Sequence, residues 1–438
     1  MKSRIILFFL ILFYIIVFHW IYKDFLFKWF EYFGYSYKSP SPLSVVVSYL
    51  ICLLPIAWIR ISLERPSLMI YWFLYLFTYI PSILVFALNG MCTLADSLQF
   101  SLVVAFSFFI IGIPYFLKTV MFKAPKISPS VFWIGIISIT IVLLSYTLYI
   151  FKDNLRFSAL DNVYDQRYAS DDVMQGNLSG YAIMILAGCF FPLLISYGLT
   201  TKKYIYVICG GIGESILFAT MGAKAQLLST FIMIGIYFLI RKDNYRKTFG
   251  VRFTVFLLVL CVLLMMGTGA ISNSENSGIL FLIGGMFFLR TLSMGGLLLF
   301  QYFSFFQTHP NTYLSHIRVL RNVLGYPYKL EIGQEIGVFF YGDEKMNANA
   351  NFWATDGIAS FGLSGIIFIS IIVALLFYFI DCISKKHSII FATLFLVFST
   401  LSLLNASLFT TLFSGGLMLI MLILHLMPQT IKHEYKSN

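Results

Sequence analysis

Apolar residues fill this chain in blocks of about 20 separated by short polar connections, the length an α-helix needs to cross a hydrocarbon layer. The blocks predict twelve spans, near 4–21, 43–59, 68–88, 98–117, 131–151, 180–199, 204–221, 225–240, 253–271, 358–381, 388–405 and 408–427. The expected fold is therefore an all-α polytopic membrane protein with about twelve transmembrane helices, one integral domain over 1–438. Pro55, Pro81 and Pro114 fall inside predicted spans, where they are expected to kink helices. Two polar stretches break the pattern: a loop over 152–179 and a larger region over 272–357.

Within the larger region, 272–306 is itself apolar but carries glycine pairs at 284/285 and 295/296 with Arg290 between them. Both ends of this stretch must lie on one side, so an even number of crossings is needed. The glycines predict a re-entrant or interfacial hairpin, tolerated at membrane depth where it lines a cavity, with Arg290 pointing into it.

Composition agrees: 59% of residues are hydrophobic and 11% charged, far from soluble averages. A net charge of +11 raises the question of nucleic acid, and its distribution answers it. With a cytoplasmic N-terminus, the inner segments collect 18 of the 30 basic residues against four acidic ones, while the outer side holds 12 basic and 14 acidic. That is the positive-inside pattern with both termini cytoplasmic, and no nucleic-acid partner is implied. The N-terminal block lacks a small-residue cleavage site and reads as the first helix. The six cysteines are scattered, without metal or disulfide spacing.

Chemistry concentrates in 307–357. In TYLSHIRVLRNVLG, apolar Leu314, Ile317, Leu320 and Leu324 predict a short amphipathic helix, capped by Asn311 or Thr312. Arg318 and Arg321 share a neighbouring face of it, with His316 close by. Glu331 and Glu335 fall on one face if their segment is helical. In NANANFW an extended backbone puts Asn347, Asn349 and Asn351 on one side, ahead of Phe352 and Trp353; amides beside aromatic faces suit a sugar, and a capping role before the next helix is the sober alternative. Thr355 or Asp356 reads as that helix's N-cap. Elsewhere, Glu214 lies mid-span and needs a partner or a wet cavity. Lys224, in the turn MGAKAQLLS, suits snorkelling or phosphate binding. The 152–179 loop offers Arg156 and Arg167 among five aspartates.

The order of parts resembles the Wzy-type O-antigen (oligosaccharide repeat-unit) polymerases over essentially the whole chain: many spans, a medium loop with LDNVYDQRYA, the turn GAKAQLL, then a large loop ending in NANANFWATDGIASFGLSG. The resemblance implies a GT-C-like glycosyltransferase at the periplasmic face of the bacterial inner membrane. It would act without metal or other cofactor on undecaprenyl-diphosphate-linked oligosaccharide, with a chain-length regulator and a flippase as partners beside the membrane lipids. Arginines of two outer loops matter in that family, and the matching positions are Arg156, Arg167, Arg318 and Arg321. A diphosphate leaving group needs cations, and Lys224 and Arg290 join those arginines as candidates. One general base suffices, with His316, Glu335 and Asp356 left open. Rival readings are a lipid-linked oligosaccharide flippase or other transporter, and an O-antigen ligase. The polar residues sit in two loops and no internal repeat is visible, which favours an enzyme over a transporter.

Overall fold

Several helix boundaries are set by a residue that caps a helix or cannot continue one. In the computed structural model, which describes residues 2–429 except 39, 92, 154, 156–177, 223 and 272–278, α1 (Ser3–Phe33) stops at Gly34 with φ 96°. α2 (Pro42–Ala57) opens with proline in its first turn, where the missing N–H costs nothing. α3 (Ser67–Asn89) ends at left-handed Gly90. α4 (Leu94–Phe116) begins at Thr93, whose Oγ1 accepts from Asp96 N at 3.1 Å, an N-cap bond. α5 (Pro129–Ile150), α6 (Ser179–Thr201), α7 (Tyr204–Met221), α8 (Lys224–Ile240), α9 (Phe249–Ile271) and α10 (Leu280–Phe306) follow. After them come α11 (Arg318–Leu324), α12 (Ile332–Tyr341), α13 (Trp353–Ser384), α14 (Ile389–Asn405) and α15 (Leu417–Leu426). No strand occurs among the described residues.

Helix occurs in each of the twelve predicted spans, but 408–427 is interrupted at 413–416. Among the described residues, nine helices are long and apolar enough to cross a membrane: α1, α3 to α7, α9, α10 and α13. α2, α8, α14 and α15, also predicted as spans, are shorter apolar helices. The protein is thus a multi-pass, all-helical membrane protein.

α3 forms the buried axis of the bundle, with every residue of its apolar window covered. Tyrosine hydroxyls bolt its neighbours to it: Tyr14 donates to Leu76 O at 2.7 Å and Tyr79 to Ile51 O at 2.7 Å. Pro55 has no N–H to give Ile51 O, and Tyr79 supplies a donor.

At one end of the bundle, basic side chains close helix C-termini. Arg60 Nη2 donates to Tyr115 O at 2.8 Å, Arg65 Nη1 to Pro114 O at 2.8 Å, Lys385 Nζ to Thr119 O at 2.9 Å and Lys386 Nζ to His425 O at 2.6 Å. Arg4 caps Ala57 O in the same way. These cations satisfy orphan carbonyls and oppose the negative helix ends. The other end carries the 307–357 region and is the loop face.

Two predicted elements differ. The region before residue 307 is not a hairpin: α10 is one helix with a π-helical stretch at Met286–Ser293. Both its ends nevertheless lie against the last part of α1, Phe281 on Phe25 and Trp29 and Gln301 Nε2 donating to Phe33 O at 3.2 Å. Gly296 is there for contact, not for a break, because a Cβ would come within 2.8 Å of Pro81 O. The second difference is α13. Phe361 and Gly362 leave helical geometry, Gly362 with φ 61° and ψ −143°, a conformation open essentially only to glycine. The chain folds back there. Gly357 meets Gly365 and Ile366 backbone to backbone, and Trp353 Nε1 reaches Ser370 Oγ at 2.8 Å. Residues 353–360 therefore form a short re-entrant limb packed antiparallel to the long limb 363–384, and the predicted start of a span at 358 falls inside it.

Candidate functional site

The re-entrant limb is reached by extended backbone. Residues 347–351 have no regular secondary structure, and along them Ala348 and Ala350 are buried while Asn347 and Asn349 are exposed, the period of two expected of extended chain. Ala348 N donates to Gly333 O at 2.8 Å, and a Cβ on Gly333 would lie 2.2 Å from Asn347 Oδ1 and 2.8 Å from Asn349 Oδ1. Glycine at 333 lets both carboxamides lie across the start of α12. The third predicted amide does different work: buried Asn351 accepts from Trp353 N at 3.1 Å and Ala354 N at 3.3 Å and caps the limb. Trp353 is fully buried and hydrogen-bonded to Ser370, so its ring has no face for a sugar. The capping alternative thus holds for Asn351, and the predicted sugar-binding role does not fit Trp353.

Asp356 sits in the middle of the limb, fully buried. Its Oδ2 accepts from Leu408 N at 2.6 Å, and Oδ1 lies 3.3 Å from His316 Nε2. His316 Nδ1 is 3.1 Å from Thr312 Oγ1, whose hydroxyl lies 3.0 Å from Ala359 O. If that hydroxyl gives its one proton to Ala359 O, it must accept from His316 Nδ1–H. Nε2 and Oδ1 then share one proton. Asp356 therefore ties the limb to the loop and to the turn before Leu408, and is not an N-cap.

The loop side of this tie shows why the predicted helix is short. Asn311 Nδ2 donates to Ile358 O at 2.9 Å, Thr312 N to Ala359 O at 2.7 Å and Tyr313 N to Ser360 O at 3.2 Å. These donors close the C-terminal carbonyls of the re-entrant limb. Tyr313 and Leu314 take φ of 49° and 69° to reach them, strained values for side chains of this size. Helix α11 begins only at Arg318, and His316 lies before it, turned inward.

The arginines gather on Glu331. Arg321 Nη2 lies 2.6 Å from Glu331 Oε2 and its guanidinium 4.5 Å over the Tyr326 ring; Arg318 Nη2 is 3.7 Å from Oε1, with 80% of its side chain exposed. Arg321 Nε and the Tyr326 hydroxyl are buried without partners. Burial, with Glu331 adding to it, holds the Tyr326 phenol above its ordinary range. The sequence pattern marked Glu331 only as a helix-face carboxylate and did not mark Tyr326. Glu335 is half-buried, and its Oε1 accepts from Lys329 N at 3.1 Å and Leu330 N at 2.8 Å. Of the three candidate bases it is the one open to solvent, since His316 and Asp356 are both buried.

Arg290 is exposed on α10, in electrostatic reach of Tyr35 and Tyr341, and makes no ion pair among the described residues. It faces outward instead of lining a hairpin cavity. Arg156 and Arg167, with most of the 152–179 loop, lie outside the described residues, as does the side chain of Lys224 at the start of α8. No group of three His, Cys, Asp or Glu side chains suited to a metal comes together among the described residues.

Fold and site together define a multi-pass helical membrane protein with a buried re-entrant limb, tied through Asp356 and His316, beneath an arginine-bearing loop. No family model matches the chain, and no curated protein or solved structure matches it either.

Proposed function

We propose that this protein is a membrane glycosyltransferase of the O-antigen polymerase type, GT-C-like in architecture, at the periplasmic face of a bacterial inner membrane. It transfers a growing glycan from its undecaprenyl diphosphate onto a hydroxyl of a second lipid-linked repeat unit. The observation that carries this reading is Arg290, an exposed guanidinium without an ion-pair partner among the described residues, set in a 27-residue apolar helix whose two ends pack against the last part of α1. A cation beside a hydrocarbon layer, with no ion-pair partner among the described residues, suits an anion that arrives on a lipid.

In the transfer, the bond from the donor's anomeric carbon to the phosphate oxygen breaks and a bond to the acceptor oxygen forms. The leaving diphosphate keeps the electron pair, and Arg290, Arg318 and Arg321 supply the charge that stabilises it. The acceptor's proton passes to Glu335, whose Oε2 makes no hydrogen bond among the described residues. Asn347 and Asn349 offer donors and acceptors to sugar hydroxyls. His316 and Asp356 hold the re-entrant limb in place. Chain-length control and delivery of the substrate fall to partner proteins.

The test supplies purified protein in nanodiscs with a defined lipid-diphosphate-linked repeat unit and resolves the products on a gel. A ladder of longer glycans, lost in Arg290→Ala and weakened in Arg318→Ala, supports the reading. Transfer of single units to a lipid A core acceptor without a ladder would make the protein a ligase. One observation, the buried carboxyl of Glu214, favours transport as the second reading; movement of the lipid across a proteoliposome bilayer without new glycosidic bonds would establish it.

A further inference from the structure

Glu214 is the one carboxylate among the described residues that is fully buried and makes no hydrogen bond at either oxygen. It lies in the middle of α7, in the sequence GGIGESILF. A carboxyl at that depth is costly unless something neutralises it. The two helices that flank it show what surrounds it. α7 and α8 form an antiparallel pair around Gly222, whose φ of 62° ends α7. Glu214 stands eight residues before Gly222 and Thr230 eight residues after it, so both lie about 12 Å from the turn at 1.5 Å per residue. Gln226 is one helical turn nearer the turn than Thr230 and on the same face.

Three more facts single out this place. Gln226 is buried with Oε1 unpartnered, and Thr230 Oγ1 is buried and unpartnered as well. Glu214 shares its helix face with Gly210, which is pressed against the Phe191 carbonyl and the Ile195 side chain of α6. Just before that contact, α6 carries a π-helical stretch at Leu186–Phe190, a departure that frees backbone carbonyls and recurs at functional sites. The buried, unpartnered atoms of Glu214, Gln226 and Thr230 are all oxygens, with one ionisable group among them. One negative charge with hard oxygen donors suits a monovalent cation, not a soft transition metal.

We propose that Glu214, with Gln226 and Thr230, forms a membrane-embedded site that exchanges a single monovalent cation, a proton or an alkali ion. The site is separate from the loop face and independent of the glycosyltransferase reading. An alkali ion gives the four orphan oxygens a common partner, whereas a proton neutralises the carboxylate and is shared with one of the other oxygens; release of either leaves the carboxylate charged in a dry environment, so exchange is coupled to local opening of the α7–α8 pair.

The test uses the whole protein in nanodiscs and dicyclohexylcarbodiimide, which modifies protonated carboxyls in apolar surroundings. Modification of Glu214 is read by mass spectrometry of its peptide from pH 5 to pH 10, in choline, sodium or potassium chloride. Slowing of about tenfold by Na⁺ or K⁺ at about ten times its dissociation constant, as mass action requires of a site about nine-tenths filled, identifies an alkali-ion site. A rate that falls about tenfold per pH unit above a midpoint, regardless of salt, identifies proton exchange. Gln226→Leu is expected to move that midpoint or the salt dependence without abolishing modification. Modification that is indifferent to both pH and salt, or absent at Glu214 throughout, overturns the proposal and leaves a static buried carboxyl.

Discussion

Replacing Asp356 with alanine tests the joint that holds the loop to the bundle. The wild-type carboxylate is fully buried and bonded to Leu408 N at 2.6 Å and to His316 Nε2 at 3.3 Å. Hydrogen bonds to a charged group are worth about 1.5–3 kcal/mol each, and an orphaned buried donor costs about 1–3 kcal/mol. The 3.3 Å contact is long and belongs at the low end. Asp356→Ala leaves Leu408 N–H and His316 Nε2 both without a partner, so a loss of roughly 3–5 kcal/mol is expected, the range for breaking a buried pair. Asp356→Asn keeps one acceptor for Leu408 N–H and is expected to lose less than half as much. The assay is denaturant unfolding in a fixed detergent, with His316→Ala and the double variant completing a cycle. Partners in contact give coupling of about 0.5–3 kcal/mol. Strictly additive single effects, or an Asp356→Ala protein within about 0.5 kcal/mol of wild type, would refute the joint.

Trp353→Phe removes the indole bond to Ser370 and is expected to lower stability by about 1–3 kcal/mol while leaving the Michaelis constant for the lipid-linked substrate unchanged; a large rise in that constant without loss of stability would restore Trp353 as a sugar contact. Arg290→Ala is expected to cut the transfer rate by about 10²–10³, as loss of one preorganised donor to developing charge does, with no change in thermal midpoint. His387 is buried against Leu424 O, and burial, aided by Lys386, pushes its imidazole down to about 4. A folded value below the unfolded one means stability is intact above about pH 6.5 and is lost as pH falls towards 4, because the unfolded chain takes the proton first; His387→Gln is expected to flatten that acid limb in unfolding measured from pH 7 to pH 4. Gly362→Ala puts a side chain at φ 61° and ψ −143° and is expected to cost about 1–3 kcal/mol, read as a lower unfolding midpoint.

The helical blocks were legible because repeated apolar runs of hydrocarbon length seldom occur outside membrane-spanning helices, and caps such as Thr93 and Ser128 mark their starts. The re-entrant limb was not legible as a fold-back. ATDGIASFGLSG is apolar enough to read as a helix running straight on, and the turn at Gly362 depends on Gly357 meeting Gly365 across it, a contact between two helices that no local periodicity encodes. The same reason hid the short start of α11: Leu314 and Ile317 keep helical spacing, but the backbone donors of Thr312 and Tyr313 go to carbonyls 47 residues away in sequence. At the site, the direction of each side chain was only partly legible. Asn347 and Asn349 face outward as extended chain predicts, whereas Asn351 turns in to cap and Trp353 packs inside. The arginines of α11 were picked out by their spacing on one helix face and by the family resemblance, and Glu331 was seen as a helix-face carboxylate without its part in gathering them.

The central claim is that glycosidic bonds form as a lipid diphosphate is released. The direct measurement counts both products in one reaction: purified protein and a defined lipid-linked repeat unit, with freed undecaprenyl diphosphate and new glycosidic linkages quantified together over time. The account predicts that one diphosphate lipid is released per linkage and that both fall together in Arg290→Ala. Release of lipid diphosphate without any new linkage, or substrate left intact by well-folded protein, would contradict it.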